Sequence, residues 1–160
     1  MPMDPELRRY RAGQAALYLD RVRGMGRRVK SLALAIEELE AKAGGVKSPD
    51  PSREQVSSSP SRPDMADQVD GLIALRSDLE AKKGAYGREI AAVARAIDRM
   101  GDHTCAAILE MRYIGDASWA ECADVLGYTK QGVMSLRERA LCDFYEVMPE
   151  CEIEPIPPAI

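Results

Sequence analysis

Aromatic residues are scarce in this 160-residue chain: one Trp, one Phe and six Tyr make up 5% of it. A β-sandwich normally spends more of its length on aromatic and β-branched residues. No run alternates apolar with polar positions, so strands are not expected. Nothing approaches the roughly 18–20 consecutive apolar residues of a membrane span. The opening MPMDPELRRYR is charged where a secretory signal would be apolar. Histidine is represented by His103 alone, and Cys105, Cys122, Cys142 and Cys151 stand 17, 20 and 9 residues apart. That spacing contains no CxxC pair and no metal-ligand rhythm, and there is no glycine-rich phosphate loop. No metal, cofactor or enzyme activity is expected, and the cysteines read as buried, reduced thiols of a cytoplasmic protein.

What the chain does have is charge, at 30% of its residues, and helical periodicity. From Pro5 to Lys42 the apolar positions Tyr18, Val22, Met25, Val29, Leu32, Ile36 and Leu39 step by 4 and 3 in alternation, a heptad seam. Gly24 and Gly26 weaken that helix locally, and the AGG at 43–45 is expected to stop it. Residues 44–63 are rich in Ser and Pro and read as a flexible connector. A second seam follows from Met65 to Met100 through Val69, Leu72, Arg76, Leu79, Lys83, Tyr86, Ile90, Val93 and Ile97. Two heptad helices joined by a connector predict a helical hairpin or coiled coil, paired either within one chain or between two.

Residues 102–148 predict a compact third block, ahead of an irregular tail over 149–160. One helix is expected from His103 to Ile114, with Gly115 as its stop. Ser118 and Glu121 have capping-box spacing at the start of a short helix whose inner face holds Trp119, Cys122, Ala123 and Leu126. Gly127 suits a tight turn and Thr129 suits the next N-cap. The last helix is expected to bury Val133, Leu136, Ala140, Leu141 and Phe144. The fold class is therefore all-α: a heptad helix over 1–43, a second over 64–101, and a helix-turn-helix domain at the C-terminal end.

In a helix-turn-helix the second helix enters the major groove, and the residues near its N-terminus reach the base edges. The apolar register leaves Lys130, Gln131, Met134 and Ser135 outward at that end as candidate base contacts. Thr129, Arg137 and Arg139 are candidate phosphate contacts. The same outward residues could equally form an ordinary solvated face, because residues 102–148 carry eight acidic and four basic side chains within a chain of net charge −4. The basic stretch RVRGMGRRVK (21–30) is either a charged helix face or a second contact with phosphate or RNA.

ILEMRYIGDASWAECADVLGYTKQGVMSLRERAL (108–141) resembles the region-4 helix-turn-helix of sigma-70-type factors. Together with the SSPSRPDMAD of 58–67, it resembles small phage and prophage proteins related to the ArpU and RinA late-transcription regulators. The shared spacing runs through Arg112-Tyr113, Trp119 and Leu126-Gly127-Tyr128 and covers roughly residues 55–145. Cys122 stands where those proteins usually have isoleucine, and the outward positions of the last helix are more neutral than in sigma region 4. The resemblance implies a DNA-binding transcription regulator in a bacterial host's cytoplasm. Its partners would be double-stranded DNA, RNA polymerase and a second copy of itself. A packaging protein of the terminase-small-subunit kind, or an interaction module that no longer binds DNA, would use the same parts.

Overall fold

The computed structural model describes residues 2–44 and 65–149. Among them there is no strand. The elements are α1 (Pro5–Gly44), α2 (Met65–Asp98), α3 (His103–Leu109), a π-helical turn (Glu110–Ile114), α4 (Trp119–Leu126) and α5 (Lys130–Tyr145). No helix among the described residues is long and apolar enough to cross a membrane. The connector expected over 44–63 lies outside the described residues apart from Gly44, which closes α1. The tail expected over 149–160 does so apart from Pro149, as does Cys151.

Two compact units emerge, and they do not follow the order of the chain. One is Met1–Met25 with Tyr86–Ile160, and the other is Gly26–Ala85. Each heptad helix is thus shared between them. Periodicity along the sequence predicts instead that both helices stand whole and apart from residues 102–148. The reason for the difference lies in which seam residues are buried. Tyr18 and Val22 of the α1 seam with their neighbour Leu19, Val93 and Ile97 near the end of α2, and Met100 just beyond it belong to the same core as Ile108, Leu109, Leu136, Leu141 and Phe144. Tyr18 stacks on Phe144 at 6.2 Å between ring centroids, and its hydroxyl donates to Glu89 across 3.3 Å. Every residue expected on the inner face of α5 is buried, and so are Cys122 and Ala123 of α4.

In the other unit α1 and α2 pair within the chain, with Ile36 and Leu79 buried and Arg76 bonded to Glu40. Within the chain the two helices are thus arms of one hairpin, with Leu72, Leu75 and Lys82 of α2 partly buried, while Arg76 and Lys83 of the expected seam are exposed. Towards the hairpin's connecting end burial fades, and Leu39, Met65 and Val69 of the seams are exposed.

Candidate nucleic-acid interface

The segment from Glu110 to Tyr145 is shaped by its caps. The helix expected from His103 to Ile114 changes its hydrogen-bonding step after Leu109, and Gly115 N–H donates to Glu110 O, five residues back, at 2.9 Å. Gly115 is not a left-handed stop, as its φ of −82° is helical. The left-handed residue is Asp116 at φ 58°, a conformation that Asp tolerates better than most side chains. Gly115 is needed for room instead, since a Cβ there would sit 2.9 Å from Met111 O. Asp116 is held by Arg23, whose Nε donates to it across 2.7 Å.

α4 then starts with the expected capping box. Ser118 Oγ accepts from Glu121 N–H at 3.1 Å, and the Glu121 carboxylate accepts from Ser118 N–H at 2.7 Å. Those bonds hold the Glu121 carboxyl below the usual carboxylate range. The turn to α5 is made by Gly127 in the left-handed region, φ 70°, while Tyr128 N–H reaches back to Ala123 O at 2.9 Å. Thr129 caps α5 by accepting from Gly132 N–H at 3.0 Å. Glycine at 132 suits this wrap, because a Cβ would lie 3.2 Å from Thr129 Oγ1 and 3.3 Å from the Tyr128 ring.

Lys130, Gln131, Met134 and Ser135 are all exposed on the first turns of α5, on one side of the helix. Beside them Trp119, Ala123, Tyr128, Val133 and Met134 line a groove of about 410 Å³ between α4 and α5, with Lys130 at its edge. The three candidate phosphate contacts are placed differently. Thr129 is exposed but uses its hydroxyl oxygen as the cap. The Arg137 guanidinium lies over the Trp119 ring at 5.1 Å, and Arg139 is bonded to Asp102. Asp102 is also the N-cap of α3, accepting from Thr104 and Cys105 N–H at 2.9 and 3.0 Å.

Trp119 is therefore a junction rather than an ordinary core residue. Its ring is half-buried, meets Tyr113 edge-on at 6.1 Å, and has a second guanidinium, that of Arg112, at 5.0 Å. Arg112 also donates to Ala117 O at 3.1 Å, yet the Nε atoms of both arginines are buried with no acceptor. The inward register of Trp119 followed from its capping-box position. In the sequence Arg112 and Tyr113 stand out only as spacing landmarks, and Asp102 carries no signal of its own. Nothing local marks Asp102 as the partner of a residue 37 positions away. Burial pushes the Tyr113 phenol up to about 12. It also pushes the Cys105 thiol up to about 11, with the Asp143 carboxylate adding to the effect. The thiols of Cys122 and Cys142 are likewise raised by burial, and all three cysteines are free. At neutral pH they are thiols, not the thiolates that nucleophilic chemistry requires.

Compared with family models, with curated proteins and with solved structures, the chain matches none of them.

Proposed function

We propose that this protein is a DNA-binding transcription regulator of the phage type, reading double-stranded DNA with the N-terminal turns of α5. The observation that carries the reading is the exposed row Lys130, Gln131, Met134 and Ser135 on a helix that is capped by Thr129 and set against α4 by the left-handed turn at Gly127. Lys and Gln offer the donors and acceptors that base edges match, and Met offers a contact for a thymine methyl. The free N–H groups of the α5 N-terminus suit a phosphate oxygen. The hairpin of α1 and α2 serves dimerisation or contact with RNA polymerase.

One observation favours a second reading, an interaction module without DNA. Of the three basic residues on α5, Arg137 and Arg139 are engaged inside the protein, which leaves Lys130 as the basic side chain at the reading end. Mobility shifts with fragments of the parent genome at low salt separate the two. Binding to a preferred site, with the preference lost in Lys130→Ala/Gln131→Ala, is the expected result. Wild-type preference in that double variant would mean that another surface reads the bases. Absence of binding to any fragment would establish the interaction module.

A further inference from the structure

The hairpin unit Gly26–Ala85 is polarised along its length. Ile36 and Leu79, its buried seam residues, divide it into two halves. On the connecting side, residues 37–44 and 65–78 carry six carboxylates (Glu37, Glu38, Glu40, Asp67, Asp70, Asp78) against Lys42 and Arg76, a net of −4. On the other side, residues 26–36 and 79–85 carry Arg27, Arg28, Lys30, Lys82 and Lys83 against Glu80, a net of +4. The sequence between the arms, 45–64, holds three basic and three acidic residues and so does not change this balance.

The same polarity is repeated on one stripe of α1. Arg27, Lys30, Leu34, Glu37, Glu38 and Ala41 are all exposed, and their spacing by threes and fours keeps them on the helix face away from the seam. Leu34, at the middle, is 61% exposed. The stripe is thus basic at one end, apolar at its centre and acidic at the other. Such a stripe is complementary to itself when a second copy runs antiparallel. A two-fold axis at Leu34 sets Leu34 on its own counterpart and Lys30 of each copy at the height of Glu38 of the other. A parallel arrangement would set like charges together. α2 also leaves apolar surface uncovered: Met65, Val69 and Ile73 follow one another at four-residue spacing and are exposed by 70, 50 and 58%. Beside them Leu39, Ala43, Leu72 and Leu75 line a groove of about 550 Å³.

We propose that the hairpin unit binds a second copy of this chain antiparallel to itself, α1 against α1 about Leu34, the basic half of each arm lying on the acidic half of the other. Isologous contacts of this kind close at two copies, and two hairpins side by side make a four-helix arrangement. The inference takes up the partner left open in the functional reading, but it is tested without DNA, so either can fail while the other stands.

The experiment is light scattering on the full chain and on two charge-reversed variants, Arg27→Glu/Lys30→Glu and Glu37→Lys/Glu38→Lys. The wild type is expected at twice the 17.6 kDa of one chain. Each variant alone is expected at the single mass, because like charges now meet in both symmetric contacts. An equimolar mixture of the two is expected to recover the doubled mass, since each contact then joins opposite charges. Leu34→Lys, at an exposed position, is expected to lose the dimer while keeping its circular dichroism, and it serves as the check if a charge-reversed variant loses helicity. A wild type that stays at the single mass overturns the proposal. So do variants that remain dimeric alone, or a mixture that does not restore the dimer.

Discussion

Replacing Trp119 by alanine removes a side chain that ties the π-helical turn, α4 and α5 together, and the cost can be assembled from its contacts. The edge-on pair with Tyr113 is worth about 0.5–1.5 kcal/mol beyond area. Each guanidinium over the ring, at 5.0 and 5.1 Å, adds about 1 kcal/mol. Truncating a buried Trp or Phe typically costs about 3–5 kcal/mol in all. Because Trp119 is only half-buried, the low end applies, about 3 kcal/mol, a large share of the roughly 5–15 kcal/mol that holds a domain together. Without the ring, two arginines whose Nε atoms already lack acceptors would face a cavity and each other. Urea denaturation followed by far-UV circular dichroism measures the loss. Wild-type unfolding can be followed in parallel by fluorescence, since Trp119 is the only tryptophan. Trp119→Phe should lose about 1 kcal/mol, because a ring remains against Tyr113. The double variant Trp119→Ala/Arg137→Ala should cost less than the sum of the two single changes, since one contact is removed twice. A Trp119→Ala protein destabilised by less than about 1 kcal/mol, or a strictly additive double variant, would refute the junction.

Gly127→Ala places a Cβ at φ 70° in otherwise open space, so a loss of about 1–2 kcal/mol from backbone strain alone is expected in the same denaturation assay. Stability should fall on the alkaline side. Cys105 and Tyr113 have folded-state pKa values of about 11 and 12 against ordinary values of 9.0 and 10.0. Their contribution is therefore complete below pH 9 and is lost as the pH rises to 12, because the unfolded chain gives up those protons first. A urea midpoint that stays flat from pH 9 to 11 would contradict their burial. Asp102→Asn keeps a cap for α3 but removes the charge that holds Arg139. Mobility shifts should then show tighter DNA binding and a salt slope steeper by about one.

How much of this was legible depended on the range of the interaction. Local signals carried well. The capping box at Ser118 and Glu121, the turn at Gly127, the cap at Thr129 and the buried face of α5 are each fixed within four or five residues, where sequence spacing maps directly onto geometry. The heptad seams predicted two long helices, and their pairing within the chain needed coordinates. Gly115 shows where a local rule failed. A glycine after a helix usually supplies the left-handed residue, but here the change of step at Glu110 uses it for clearance and passes the left-handed turn to Asp116. The partners of Arg137, Arg139 and Asp116 were out of reach for a different reason: Trp119, Asp102 and Arg23 are 18, 37 and 93 residues away from them along the chain. No periodicity connects such pairs.

These long-range pairs change what the acidic composition means. Counted along the sequence, residues 102–148 hold twice as many carboxylates as cations, which argues against DNA. In the fold several of those carboxylates are occupied with internal work. Asp102 caps α3 and holds Arg139, Asp116 holds Arg23, and Glu121 caps α4. None of the three lies on the exposed row at the start of α5. Net charge over a segment governs long-range attraction, which ordinary salt screens beyond about 8–10 Å. On the proposed function, base reading would be decided within hydrogen-bonding distance, by Lys130 and Gln131 rather than by the sum. A reading helix with so few unengaged cations gives little electrostatic affinity per copy, since affinity follows the number of phosphates neutralised. Such a helix gains most from being doubled: two copies contribute two sets of contacts and fix the distance between half-sites. On the DNA reading the hairpin therefore matters for affinity rather than for site choice: a chain that proved monomeric would keep Lys130 and Gln131 for the base edges but would hold its site weakly, with a shallow salt slope.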